Sequence, residues 1–85
     1  MMVTVKLFGT LRLDSGVKEF QAEGASVKAL YPTVLKEIRE KNPDSRVTEK
    51  DLRACLVAVN GIQVRPGARL RDGDTVYFFP AVAGG

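Results

Sequence analysis

The order of apolar and polar positions divides the chain into short segments of different period. Residues 2–8, Met2-Val3-Thr4-Val5-Lys6-Leu7-Phe8, alternate with period two. Val3, Val5 and Leu7 share one face, and Thr4, Lys6 and Phe8 share the other, as in a strand with one buried side. Gly9 ends this run and Asp14-Ser15-Gly16 has turn chemistry. A second short strand follows at Val17–Ala22, so the opening of the chain predicts a β-hairpin. Over residues 26–41 the period changes. Val27, Leu30, Tyr31, Val34, Leu35 and Ile38 recur at steps of three and four, one stripe of a helix, with Ser26 placed as its N-cap. Pro32 falls inside this pattern, where it removes one backbone hydrogen bond. The stripe passes through it without changing phase, which predicts one kinked helix ending at Asn42-Pro43-Asp44.

Residues 43–53 are polar, with a short helical turn expected at Glu49-Lys50-Asp51-Leu52. Ala54–Asn60 is the most apolar run and predicts an inner strand. Asn60-Gly61 is a strong hairpin signal, since both residue types tolerate the positive φ of a type I′ turn. It leads into Ile62–Arg65. Turns are expected at Pro66-Gly67 and Asp72-Gly73-Asp74, with Leu70 as a core plug between them. The last strand is Thr75–Phe79, ended by Pro80. The order β-β-α-β-β-β, with one main helix on one face of a mixed sheet, is the α+β arrangement of the ubiquitin-like β-grasp. Its predicted core is Val3, Val5, Leu7, Phe20, Val27, Leu30, Val34, Ile38, Val57, Val59, Leu70, Val76 and Phe78.

Building that core leaves apolar residues over. In the last strand Val76 and Phe78 point one way, so Tyr77 and Phe79 point the other. Phe8 opposes Val3, Val5 and Leu7; Leu56 and Ala58 oppose Cys55, Val57 and Val59. Phe8, Leu56, Ala58, Tyr77 and Phe79 therefore gather on the uncovered face of the sheet. A contiguous apolar surface there marks a partner site, unless loops, the 43–53 segment or a second copy of the chain folds over it.

Composition narrows the chemistry. The chain has 85 residues and no His, which removes Ser-His and Cys-His nucleophile pairs. A single Cys excludes an intramolecular disulfide and a cysteine-based zinc site. Cys55 lies in phase with Val57 and Val59, so a buried, inert thiol is expected. The net charge of +3 is too small to imply nucleic acid. No run of about 20 apolar residues suggests a membrane span. Met1–Lys6 lacks the build of a signal peptide, and the expected location is the cytoplasm. Arg53, Arg65, Arg69 and Arg71 cluster near the last hairpin. They are compatible with a solvated face or with contact to an acidic partner; no interleaved aromatic platform favours RNA. Asp72-Gly73-Asp74 lacks the remaining ligands of a calcium loop.

After Pro80 the chain continues Ala81-Val82-Ala83-Gly84-Gly85, small and uncharged. Five extended residues reach about 17 Å at most, so a β-grasp body over 1–80 with a slim flexible tail over 81–85 is expected. A Gly pair alone is weak evidence, because an ordinary frayed terminus reads the same way. Its position beyond an aromatic strand is what gives it weight. Phe78-Phe79-Pro80-Ala81-Val82-Ala83-Gly84-Gly85, preceded by Leu70-Arg71-Asp72-Gly73-Asp74-Thr75-Val76, is very similar to the closing segment of the MoaD/ThiS family of ubiquitin-like sulfur carriers. Val57-Ala58-Val59-Asn60-Gly61 and Val5-Lys6-Leu7-Phe8-Gly9-Thr10-Leu11-Arg12 fit as well. The similarity is greatest to the MoaD branch, the small subunit of molybdopterin synthase. The pair of prolines usual after the aromatics is Pro80-Ala81 here, and Pro32 and the 43–53 insert are less typical.

The resemblance implies a carrier rather than a free-standing catalyst. An adenylating enzyme similar to the ubiquitin activators (MoeB-like) would use ATP and Mg to convert the Gly85 carboxylate into an acyl-adenylate. A sulfur donor would then displace AMP and leave a thiocarboxylate. A large synthase subunit (MoaE-like), in a heterotetramer with this chain, would take the sulfur to build molybdopterin. In this reading Gly85 carries the chemistry and Gly84 gives access. Phe8, Leu56, Tyr77, Phe79, Pro80 and Val82 contact partners, and the chain itself binds no cofactor, metal, nucleic acid or membrane. A related carrier serving thiamine thiazole synthesis or tRNA thiolation, a ubiquitin-like protein modifier, and a plain interaction module with idle glycines are the other classes open at this point.

Overall fold

The computed structural model describes residues 1–80. Their order is β1 (Met2–Leu7), α1 (Gly9–Ser15), β2 (Glu19–Glu23), α2 (Val27–Lys41), α3 (Glu49–Arg53), β3 (Leu56–Val59), β4 (Ile62–Val64) and β5 (Thr75–Phe79). The strands form one sheet in the order β2-β1-β5-β3-β4. β5 is the central strand, and its neighbour β1 runs parallel to it, with Val5 opposite Val76 and Leu7 opposite Phe78. Every other pairing is antiparallel. This is the expected ubiquitin-like β-grasp: a mixed sheet with α2 lying across one face.

Alternation in β1 and β5 puts Val3, Val5, Leu7, Val76 and Phe78 beneath α2, all at most 1% exposed. The helix answers with Val27, Leu30, Tyr31, Val34 and Ile38, and the Tyr31 ring meets the Phe78 ring edge-on at 6.3 Å. Ser26 caps α2 by accepting a hydrogen bond from the Ala29 amide at 3.2 Å. The helix runs continuously through Pro32. The hydrogen bond that Pro32 cannot donate would have gone to the Lys28 carbonyl, and both residues are exposed. Asn60 and Gly61 adopt φ of 52° and 88° at the β3–β4 turn, as that dipeptide predicts.

The structure differs from the sequence expectations in four places. β1 and β2 do pair, but not as a tight hairpin: α1 fills their connection, buries Leu11 and Ser15, and ends at Gly16 with φ 70°. β2 accordingly begins at Glu19 rather than Val17, although Val17 is buried as a loop residue. The 43–53 segment is not a solvated insert. Val47 and Leu52 enter the core at 4% and 0% exposure, and a Thr48–Asp51 capping box starts α3. β3 begins at Leu56, so Ala54 and Cys55 lie before the strand, and Cys55 is half-buried rather than buried. Val59 is likewise only partly buried, packed on the core rather than enclosed by it. No helix among the described residues is long and apolar enough to cross a membrane.

Candidate functional site

The sheet face away from α2 is divided into a polar and an apolar half. At one end Gln21 donates to the Thr4 hydroxyl at 2.7 Å, and Thr4 lies opposite Thr75. Toward the other end Leu56 faces Phe79, Ala58 faces Tyr77, and Lys6 stands beside Tyr77 from the opposite side. Phe8 has extended backbone (φ −129°, ψ 165°), so the alternation of β1 carries one residue further and its ring emerges on this same face. The Phe8 amide donates to the Phe78 carbonyl at 3.2 Å, tying it to β5.

Three aromatic rings tile this half. Phe8 stacks on Phe79 with centroids 4.8 Å apart and planes 13° from parallel. Phe8 and Tyr77 are 5.9 Å apart, and Tyr77 and Phe79 6.3 Å, both stacked. The Lys6 ammonium sits 5.9 Å from the Tyr77 centroid, bounding the patch with a cation. Leu56 and Phe79 remain 52% and 40% exposed. Phe8, Leu56, Tyr77 and Phe79 are thus brought together, with Ala58 between them. The 43–53 segment, which could have covered them, packs instead with α2 and the core on the other side.

Pro80 follows Phe79 at the lip of the patch. There the chain passes against Gly9, whose φ is +58°, and a Cβ on Gly9 would stand 3.1 Å from the Pro80 ring. This close approach escapes sequence reasoning, which sees Gly9 only as the end of a strand. Pro80 also walls a cleft of about 280 Å³ shared with Leu11, Val47 and Cys55, with Asp14 and Asp51 at its polar side. The Cys55 thiol donates to the Asp51 carbonyl at 3.3 Å. Burial, and secondarily the Asp51 charge, push its pKa up to about 11. At neutral pH it is a protonated, poorly nucleophilic thiol. Val82, Gly84 and Gly85, with the tail expected over 81–85, lie outside the described residues.

The patch offers a largely apolar docking platform bordered by the Lys6 ammonium. The chain has no His, and the described residues hold no group of three or more side chains that could ligate a metal ion. The ThiS family model matches residues 5–85, nearly the whole chain. The chain belongs to the ThiS family. This bears out the resemblance to ubiquitin-like sulfur carriers. Solved structures agree with the assignment. A putative molybdopterin converting factor, subunit 1, from Pyrococcus furiosus is 32% identical, with a TM-score of 0.68 over 96% of this chain and 99% of that one. A chain of the Amycolatopsis orientalis BexX/CysO complex is 34% identical, with a TM-score of 0.61 over 98% and 99%. A chain of the complex of subunits 1 and 2 of molybdopterin-converting factor from Helicobacter pylori is 25% identical, with a TM-score of 0.64 over the full length of both. No curated protein sequence matches the chain.

Proposed function

We propose that this member of the ThiS family is the sulfur-carrying small subunit of a molybdopterin synthase, non-catalytic by itself and working in the cytoplasm. The observation that carries the proposal is the continuity of the aromatic patch with the strand that leads into Pro80 and on toward Gly84-Gly85. A partner seated on Phe8, Leu56, Tyr77 and Phe79 lies next to Pro80, the residue that residues 81–85 follow in the sequence. Five residues in extended form reach about 17 Å at most, far enough to enter a partner's active site.

The chemistry follows from the glycines. A carboxylate resists attack until one oxygen becomes a leaving group. A MoeB-like partner supplies this from ATP and Mg: the Gly85 carboxylate oxygen attacks the α-phosphorus and pyrophosphate leaves. A sulfur nucleophile then adds to the acyl carbon, AMP departs, and the thiocarboxylate remains. The missing Cβ at Gly84 and Gly85 lets the tail thread a narrow channel and leaves the acyl carbon open. Docking in a heterotetramer with a MoaE-like large subunit delivers this sulfur to the pterin precursor. The identity to the Pyrococcus furiosus molybdopterin converting factor and the Phe78-Phe79-Pro80 approach support that acceptor.

The 34% identity to a chain of the BexX/CysO complex favours a second reading, a sister carrier that hands the same sulfur to a different acceptor. One reconstitution separates the two. Thiocarboxylated chain mixed with a molybdopterin synthase large subunit and pterin precursor is expected to yield the dithiolene product. Sulfur retained on the chain in that mixture would favour the sister carrier.

A further inference from the structure

On the side opposite the aromatic patch, a cavity of about 380 Å³ is lined by Lys28, Tyr31, Arg53, Pro66 and Gly67. It lies where the start of α2, the end of α3 and the 65–69 loop meet. We propose that this cavity is a second docking site, one that receives an acidic segment of a partner protein while the aromatic patch and the tail serve another.

Charge complementarity supports that occupant. The lining contributes an ammonium and a guanidinium and no carboxylate, and Arg65 and Arg69 stand exposed on the flanking loop. The amides at the start of α2 do not compete for the ligand: those of Val27 and Lys28 already donate to the Ala68 and Pro66 carbonyls at 3.0 and 2.8 Å, and that of Ala29 to Ser26. The positive character presented by the cavity is therefore that of side chains. The Arg53 guanidinium lies 6.0 Å from the Tyr31 centroid, and the Glu49 carboxylate holds it at 3.0 Å. Its side chain stays 61% exposed and shares its charge with Glu49, so the positive surplus at the cavity comes from Lys28 together with Arg65 and Arg69 on the loop. Tyr31 and Pro66 give apolar walls for the stem of a Glu side chain. By contrast, the cleft beside Pro80 carries Asp14 and Asp51 and repels the same ligand.

The two surfaces are independent by geometry. Tyr31 packs beneath Phe78, while Phe79, the next residue of β5, belongs to the opposite face. A molecule only 17 Å along its shortest axis therefore presents a basic cavity on one broad side and an aromatic patch on the other. A partner in the cavity leaves the aromatic patch and Pro80 uncovered, which would allow a carrier to be held by one protein while another loads or unloads it.

The test is titration of the isotope-labelled full chain with a hexaglutamate peptide, followed by amide NMR. Shifts are expected to centre on Lys28, Tyr31, Arg53 and Gly67 and to weaken at high salt. Lys28→Glu, a side chain with no hydrogen bond or ion pair among the described residues, should weaken the peptide several-fold, and Lys28→Glu with Arg53→Glu by roughly tenfold or more. Phe79→Arg should leave the titration unchanged, so failure here is separable from failure at the aromatic patch. The proposal is overturned by shifts scattered over all cationic residues and indifferent to charge reversal. It is equally overturned if inorganic phosphate shifts the same amides as strongly as the peptide, or if a ribo-oligonucleotide binds there in preference to it.

Discussion

The rings of Phe8 and Phe79 stack at 4.8 Å, although one residue precedes α1 and the other ends β5. Their contact joins two distant stretches of chain at the place where Pro80 leaves the sheet against Gly9. It builds an apolar surface that the fold itself does not need, because the core lies on the other side of the same strands.

Replacing Phe79 with Arg therefore separates folding from docking. Phe79 is 40% exposed, so the change should cost about 1 kcal/mol or less of stability, mostly from the lost stacking. Affinity for a molybdopterin synthase large subunit should fall at least tenfold, by the loss of an aromatic anchor of about 2 kcal/mol and the burial of a charge. A thermal melt and a binding isotherm on the same preparation check both halves. Binding at undiminished strength would move the interface elsewhere.

Leu52→Ala should do the reverse. Leu52 is fully buried and holds α3 on the core beside α2, so truncation should destabilise the chain by about 2–5 kcal/mol. The aromatic patch lies across the sheet and keeps its form, and binding measured well below the new melting point should be near normal. Denaturant titration gives the first number.

Much of this was legible in the sequence wherever a period was long enough to read. β1, β5 and α2 follow directly from alternation and from a stripe of three- and four-residue steps, and the aromatic patch follows from β5 being apolar on both faces. α1 was not legible because it buries only Leu11 and Ser15, one apolar residue and one hydroxyl, too few to register as a stripe. Gly16 is its stop signal, a left-handed C-cap, but in the sequence it reads equally well as a turn. The Ser15 hydroxyl accepts from the Val17 amide at 3.1 Å within the local turn, while the Asn42 side-chain amide donates to the Ser15 carbonyl at 3.2 Å, a tertiary contact no local pattern announces. Val47 and Leu52 were hidden by the charged residues around them. The Gly9–Pro80 approach joins two positions far apart in the chain, and neither carries a mark of the other.

Cys55 sets an alkaline limit on stability. Its pKa is raised from 9.0 to about 11, first by burial and then by the Asp51 charge, so the folded state holds the proton more tightly than the unfolded state. That contribution is complete below about pH 9 and is lost as the pH rises toward 11. Tyr31 shifts in the same direction, chiefly by burial. Alkylation at pH 8 should thus be far slower in the native chain than in denatured chain, and stability should decline above pH 9 less steeply in Cys55→Ser. Rapid native alkylation at pH 8 would contradict the placement of the thiol.

Asp74 acts at the other end of the pH scale. It accepts from the Arg71 amide at 2.8 Å and from the Asn60 side chain at 2.9 Å, and these bonds, the Arg71 amide first, hold its carboxyl below the usual carboxylate range. The stability this gives is present above the ordinary Asp value and lost as pH falls through the lowered one. Asp74→Asn should accordingly lower stability at pH 7 and flatten the acid limb of its pH profile. A profile of unchanged steepness would assign that limb to other carboxylates.

The most direct measurement is the intact mass of the chain after incubation with a cognate adenylating enzyme, ATP and sulfide. Replacement of one carboxylate oxygen by sulfur should raise it by about 16 Da, and removal of Gly85 should abolish both the gain and sulfur delivery to the pterin. A mass that stays constant while the enzyme turns over ATP, or full activity without Gly85, would contradict a sulfur-carrying role for the chain's last residue.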